Sequence, residues 1–283
     1  MESSLGSIHW LHGLEDYFEF INDTESKQFV RFLLKLLYAD KPTIVVNEES
    51  SMEEFIYTLR KFSSSPMMDV LYKYYREGHE PLALQDAFSR GQVQSKIWLA
   101  TELSKVKTDF DMIYVLAGWF GQLTSYFDAA DINYNKIRIM DIDPRACEIS
   151  DKIFNATKLE NYKVKSVERD LTDYDWLSRT GCEYILKNYN NNQETKEKSS
   201  PDLIINTSAE HFHERWYHKF ANRPLETNPL FVIQSNNLFN ATGHINCVHS
   251  IDEMKIKFPM KEVLFEGELQ LKGYKRFMLI GRP

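Results

Sequence analysis

From Met112 onward, short apolar runs alternate with segments of helical length, and the last two runs stand only two residues apart. Met112–Leu116, Ile137–Met140, Val164–Val167, Leu203–Ile205 and Leu230–Ile233 read as buried strands. The stretches between them are polar or amphipathic and mostly long enough for a crossover helix. Such strands build βαβ units and a parallel sheet covered on both faces. Val263–Leu271 and Tyr274–Ile280 meet at Lys272-Gly273. Two residues cannot hold a crossover, so this pair is an antiparallel hairpin. The expected class is α/β, with a mainly parallel sheet ending in a hairpin. Lys187–Ser200 (KNYNNNQETKEKSS) is almost free of apolar residues and reads as a mobile loop joining sheet elements.

The chain before this region has a helical texture. Thr24–Tyr38 places Phe29, Phe32, Leu33, Leu36 and Leu37 near a 3.6-residue period, with Thr24 as a cap and Pro42 beyond the end. Ser51–Phe62 repeats the pattern, Pro66 opens a third helix ending near Gly78, and Gln92–Val106 forms a fourth. The division expected is an N-terminal helical domain over 1–91 and a sheet domain over 92–283.

Composition narrows the function classes. Aromatic residues make up 13% of the 283, enough for a real core and against a disordered chain. No run nears the roughly 18–20 apolar residues of a membrane helix, and Met1–Trp10 has no basic-then-apolar leader. The three cysteines, Cys147, Cys182 and Cys247, are far apart and form neither a metal motif nor a disulfide framework. A reducing cytoplasm is the expected setting. The net charge of −7 disfavours a protein that coats nucleic acid, although a local basic patch can coexist with it.

The strand ends carry the chemistry. Ala117-Gly118-Trp119-Phe120-Gly121 comes directly after the first strand, where glycine admits a ligand or simply makes a tight turn. The full GxGxxG fingerprint is absent. Asp141, 23 positions after Gly118, closes the second strand and suits a ribose diol. Asp143 before Pro144 fits a helix N-cap. Asp170 closes the third strand, as an adenine contact or as a solvated acid. Gln234-Ser235-Asn236-Asn237 comes after the fifth strand and offers Gln234 and Asn236 as substrate contacts, or a turn satisfied by its own amides.

Together these segments, VLAGWFGQL (115–123), IRIMDIDP (137–144), ERDL (168–171), PDLIINTSAEH (201–211) and the closing hairpin, resemble the class I S-adenosylmethionine-dependent methyltransferases over roughly Gln92–Pro283. The resemblance implies a Rossmann-like seven-stranded sheet and S-adenosylmethionine as cofactor. It places Gly118, Trp119 and Gly121 by the methionine and ribose. Asp141, with Ile142 and Asp143, falls at the ribose, Asp170 and Leu171 at the adenine, and Asn206 near the methyl group. The family often has an acid two positions before its first glycine, where this chain has Leu116, and the third glycine is missing. A relative that keeps the fold without turnover therefore stays open.

On the acceptor side, the resemblance places the loop after the fourth parallel strand against the methyl group. It contains Asn206, Glu210 and His211, the catalytic candidates, with Glu210 orienting the imidazole as a general base. A helix start capped by Ser208 is the structural alternative. Asn206 lacks the two prolines of amino-methylating nucleic-acid enzymes, and no cysteine stands after a proline as in cytosine-C5 enzymes. The acceptor is then a small molecule, a peptide or another RNA site. No metal is expected: His211-x-His213 does not put both rings on one helical face, and His244 and His249 lie far along the chain. Gln94, Ser95 and Lys96 are further candidates for the cofactor carboxylate, or a helix surface. Gly121–Ser125 (GQLTS) faintly resembles nicotianamine-synthase-like enzymes, which implies aminocarboxypropyl transfer as the alternative to methyl transfer.

Overall fold

The computed structural model describes residues 3–37, 57–61, 63, 68, 72, 86–155, 163–172, 177–189, 192–222 and 225–283. The chain divides into two compact units, Met1–Trp98 and Leu99–Pro283.

The first unit contains α1 (Ser3–Phe20) and α2 (Thr24–Leu37). Asn22 breaks α1 with a left-handed φ of 58°, and the Asp23 N–H returns to the Phe18 carbonyl at 2.9 Å. Asparagine tolerates this conformation, which satisfies carbonyls left open at a helix end. Asp23, not Thr24, caps α2: its Oδ1 accepts the Ser26 N–H at 3.1 Å. Trp10, Leu14, Tyr17, Phe18, Val30, Leu34 and Phe88 fill the core. Gly13 is where the Phe88 backbone comes closest, since a Cβ there would stand 1.9 Å from its carbonyl oxygen. Pro42 and most of the expected helices over Ser51–Phe62 and Pro66–Gly78 lie outside the described residues. The helix read from Gln92 begins two residues earlier, as α3 (Arg90–Val106).

The second unit is built on β1 (Asp109–Leu116), α4 (Leu123–Ala129), β2 (Asn133–Asp141), α5 (Pro144–Asn155) and β3 (Val164–Glu168). After these come β4 (Leu177–Ser178), β5 (Gly181–Lys187), β6 (Glu194–Ser199) and β7 (Leu203–Asn206). A 3-10 turn (Ala209–His211), α6 (Arg215–Asn222), β8 (Leu230–Asn236), α7 (Ile251–Lys257), β9 (Glu262–Leu271) and β10 (Tyr274–Arg282) complete it. Among the described residues the main sheet has seven strands in the order β3-β2-β1-β7-β8-β10-β9. β3, β2, β1, β7 and β8 are parallel. β10 is antiparallel to both β8 and β9, so it alone runs against the sheet. The apolar runs read as strands are the buried centres of these elements, and β8 is buried along its whole length. Edge strand β9 instead has mostly exposed or half-buried side chains.

Two readings are corrected. Lys187–Ser200 is not simply a loop: Glu194–Ser199 pairs with Gly181–Lys187, and β4–β5–β6 form a separate antiparallel sheet. Its polar strand is matched by charge, with Lys196 Nζ 2.6 Å from Glu183 Oε2. The inward residues Cys182, Tyr184 and Leu186 share a core with Met112, Tyr114 and Met140. Buried Arg138 of β2 donates to the Tyr184 hydroxyl at 3.2 Å and to Glu197 at 3.1 Å. The second correction is to β8, which continues through Asn236, so Gln234 lies inside the sheet and not beyond it. No helix among the described residues is long and apolar enough to cross a membrane.

Candidate functional site at the carboxyl edge of the sheet

Because their strands are parallel, Leu116, Asp141, Asn206 and Asn236 all end at one edge, where open α/β sheets receive ligands. After β1 the chain takes a left-handed conformation at Ala117 (φ 49°), Trp119 (48°) and Gly121 (71°). The two non-glycine residues each cost about 1–2 kcal/mol there. Asp141 secures this loop: its Oδ2 accepts the Trp119 N–H at 2.8 Å and its Oδ1 the Asp143 N–H at 3.0 Å. Burial raises the Asp141 pKa, and those two N–H donors oppose the rise. A carboxylate has about four acceptor positions, so the backbone N–H groups around Asp141 leave capacity for a ligand. Ile142 beside it is 65% exposed, leaving an apolar side chain open at this edge.

The glycines have a packing reason. A Cβ on Gly118 would stand 2.7 Å from Ile139 Cγ2, and one on Gly121 would stand 2.3 Å from Ile139 Cδ1 and 2.8 Å from Ser150 Oγ. They let the loop lie close on β2 and α5. Asp143 caps α5 as expected, its Oδ1 accepting the Arg145 N–H at 2.9 Å ahead of Pro144. Asp170 Oδ1 accepts from the Thr172 N–H and hydroxyl, which lowers its pKa. Leu171 is buried in the core.

At the acceptor end, Asn206 is fully buried. Its Oδ1 accepts the Ser208 N–H at 2.9 Å, while its Nδ2 has no partner among the described residues. Ser208 makes no side-chain cap, and it leads into a single 3-10 turn. Glu210 is 2% exposed. Its Oε1 accepts from Asn236 Nδ2 at 2.6 Å and Arg276 Nη2 at 3.3 Å, whereas Oε2 has no partner among the described residues. The expectation that Glu210 orients His211 is corrected, because His211 Nδ1 lies 3.2 Å from the Gly243 carbonyl. Gln234 is fully buried and donates to Met278 Sδ, and Asn236 serves to hold Glu210.

His244 and Arg276 are the residues that spacing along the chain does not reveal. The Ile245 and Asn246 N–H groups both donate to the Glu210 carbonyl at 2.9 Å, and this pins the 237–249 loop over the turn. The pinned loop brings the His244 ring to 4.7 Å from the His211 ring, perpendicular to it. Arg276 stands beside Lys275 at the start of β10, directly ahead of the apolar run Phe277–Ile280.

The strand order, with its one reversed strand next to the edge, is the observation that decides the fold. The chain has the fold of the class I S-adenosylmethionine-dependent methyltransferases. No family model and no curated protein matches it. Among solved structures it is similar to magnesium protoporphyrin IX methyltransferase from Synechocystis PCC 6803, solved with bound S-adenosylhomocysteine. That match has 11% identity and a TM-score of 0.48, over 80% of this chain and 97% of that one. It is also similar to the [4+2]-cyclase SpnF, at 8% identity and a TM-score of 0.48, over 69% and 82%. A third is TrmK of M. capricolum, in complex with its cofactor product, at 8% identity and a TM-score of 0.41, over 65% and 67%.

Proposed function

We propose that this chain is a methyltransferase that takes S-adenosylmethionine as cofactor. The observation that carries the reading is Asp141. Its carboxylate ends β2, ties down the Gly118–Gly121 loop and keeps acceptor capacity for a ribose diol, with exposed Ile142 alongside. Gly118, Trp119 and Gly121 would hold the methionine and ribose side, Asp143 the ribose flank, and Asp170 with Leu171 the adenine. When bound, the cofactor supplies an electrophilic methyl on a sulfonium. Transfer is a direct displacement, so the protein's task is to align the acceptor and remove its proton. Asn206 offers a buried, unpartnered amide donor for that alignment. Exposed His211, oriented through Gly243, is the base.

The acceptor is a small molecule or an RNA or protein site, and the net charge of −7 weighs against nucleic acid. The segment 1–91 serves as the substrate-selecting domain, ahead of a cofactor domain over 92–283. Product analysis tests the chemistry. Methyl transfer leaves S-adenosylhomocysteine. Methylthioadenosine would instead mark the aminocarboxypropyl transfer favoured by GQLTS at Gly121–Ser125. No heat of binding at millimolar S-adenosylmethionine would sink both and leave a non-catalytic protein of this fold.

A further inference from the structure

We propose that Glu210, His211 and His244 form a binding site for a divalent transition-metal ion of the zinc type. A carboxylate oxygen of Glu210 and a ring nitrogen of each histidine already lie within 4.8 Å of one another. Ligand atoms on a tetrahedral zinc stand about 3.3 Å apart. The two spacings differ by about 1.5 Å at most, and neither ring is fully buried: His211 is exposed and His244 half-buried.

Three independent features favour an ion. First, His211 Nδ1 faces the Gly243 carbonyl at 3.2 Å and His244 Nδ1 the Leu238 carbonyl at 2.9 Å. A carbonyl only accepts, so in each ring Nδ1 carries the proton and donates. In the neutral ring, Nε2 then presents a lone pair. Metal-bound histidines are held this way, the second nitrogen donating to a carbonyl or carboxylate. Second, Glu210 Oε2 is buried with no partner among the described residues. An orphaned carboxylate oxygen is costly, and a cation is the partner that removes the cost. Third, the surroundings are rigid. Asn236 and Arg276 fix the other oxygen of Glu210, and the 245–246 backbone fixes the turn that carries His211.

The donor set also selects the ion. Two imidazoles with one carboxylate suit zinc, whereas calcium and magnesium prefer oxygen throughout. Three protein ligands leave a fourth position open, as in catalytic zinc sites, for water or a heteroatom of a bound molecule. The site shares His211 with the base proposed above: where zinc is bound, that ring is a ligand and water at the open position takes over the base role, while the binding test itself requires no turnover.

The experiment uses untagged, chelator-stripped full chain titrated with zinc chloride by calorimetry. Cobalt substitution reports geometry, because a tetrahedral Co(II) site gives intense visible bands. One zinc per chain is expected. His211→Ala and His244→Ala should each weaken binding by at least about 100-fold and abolish the cobalt bands, and Asn236→Ala should weaken it about 10–100-fold. His213→Ala, an exposed histidine outside the cluster, should leave affinity within about 3-fold. Circular dichroism confirms folding, and because both ligand histidines are solvent-accessible the core is undisturbed. Absence of stoichiometric zinc binding, or an equal loss in His213→Ala, overturns the proposal.

Discussion

Asn236 Nδ2 donates to Glu210 Oε1 at 2.6 Å, joining the end of β8 to the turn after β7. Asn236 Oδ1 accepts the Leu238 N–H at 2.9 Å, so the amide is used at both ends. An uncharged amide here lets Glu210 be the one carboxylate of a buried site that also holds the Arg276 guanidinium. Asn236→Asp would set two carboxylates face to face. One of them then has its folded pKa raised. Its contribution to stability is present at low pH and is lost as pH rises through that pKa. We expect the variant to be destabilised by about 2–4 kcal/mol at pH 7 and to regain part of this at pH 5, read from urea unfolding at both pH values. A variant as unstable at pH 5 as at pH 7 would remove the like-charge explanation.

Asp141→Ala should weaken S-adenosylmethionine binding by at least about 10-fold, consistent with about 1.5–3 kcal/mol for hydrogen bonds to a charged group. Calorimetry on folded variant gives the answer. Unchanged affinity would count against the ribose assignment.

Gly121→Ala meets Ile139 Cδ1 at 2.3 Å and also demands a left-handed alanine, at φ 71°. Overpacking of about 1–3 kcal/mol adds to conformational strain of about 1–2 kcal/mol. Gly273→Ala shares the strain, at φ 89°, but meets nothing within 4 Å. Denaturant midpoints should therefore rank Gly121→Ala well below Gly273→Ala, and equal midpoints would show that packing is not what Gly121 supplies.

The Lys165 ammonium and Asp151 carboxylate are paired at 2% and 4% exposure, and Asp151 Oδ1 also accepts the Ser166 N–H at 2.8 Å. Asp151→Ala removes the counter-charge of a buried ammonium, which keeps its donation to the Lys187 carbonyl, and should cost about 3–5 kcal/mol. Adding Lys165→Met to that variant should recover a large part of the loss. A double variant no more stable than Asp151→Ala would place the cost in packing and not in charge.

Burial pushes the Cys182 thiol up to about 12. A folded pKa above the unfolded value means stability that is complete below about pH 8.5. It is lost as pH climbs toward 12. This one thiol contributes a slope of up to about 1.4 kcal/mol per pH unit. Cys182→Ala should flatten the alkaline limb of a stability–pH profile, whatever it does to stability at pH 7.

Burial decides which elements are legible in the sequence. Strands covered on both faces need unbroken apolar runs, so β1, β7 and β8 stand out, and the two-residue gap at Lys272-Gly273 forces the hairpin. Asp143 before Pro144 likewise declares its cap. The β5–β6 pair stays hidden because its stabilising partner is another strand: Glu194–Ser199 has no apolar residues, and its pairing rests on charges opposite it. The acceptor edge is half legible. Asn206, Glu210 and His211 lie in one short run, whereas His244 reaches them only through two backbone hydrogen bonds to the Glu210 carbonyl. Gln234 reads as a turn residue because a polar side chain inside a buried strand carries the same signal as one beyond the strand's end.

The order of synthesis differs from the order of the sheet. β10 emerges from the ribosome after β9, yet it sits between β8 and β9. While the chain grows, β8 keeps one edge without a strand beside it, and β9 has no strand to join. Arg276, which anchors Glu210, arrives on that same final strand. Assembly of the acceptor edge is thus coupled to closure of the sheet, and a nascent chain halted before Tyr274 would have neither.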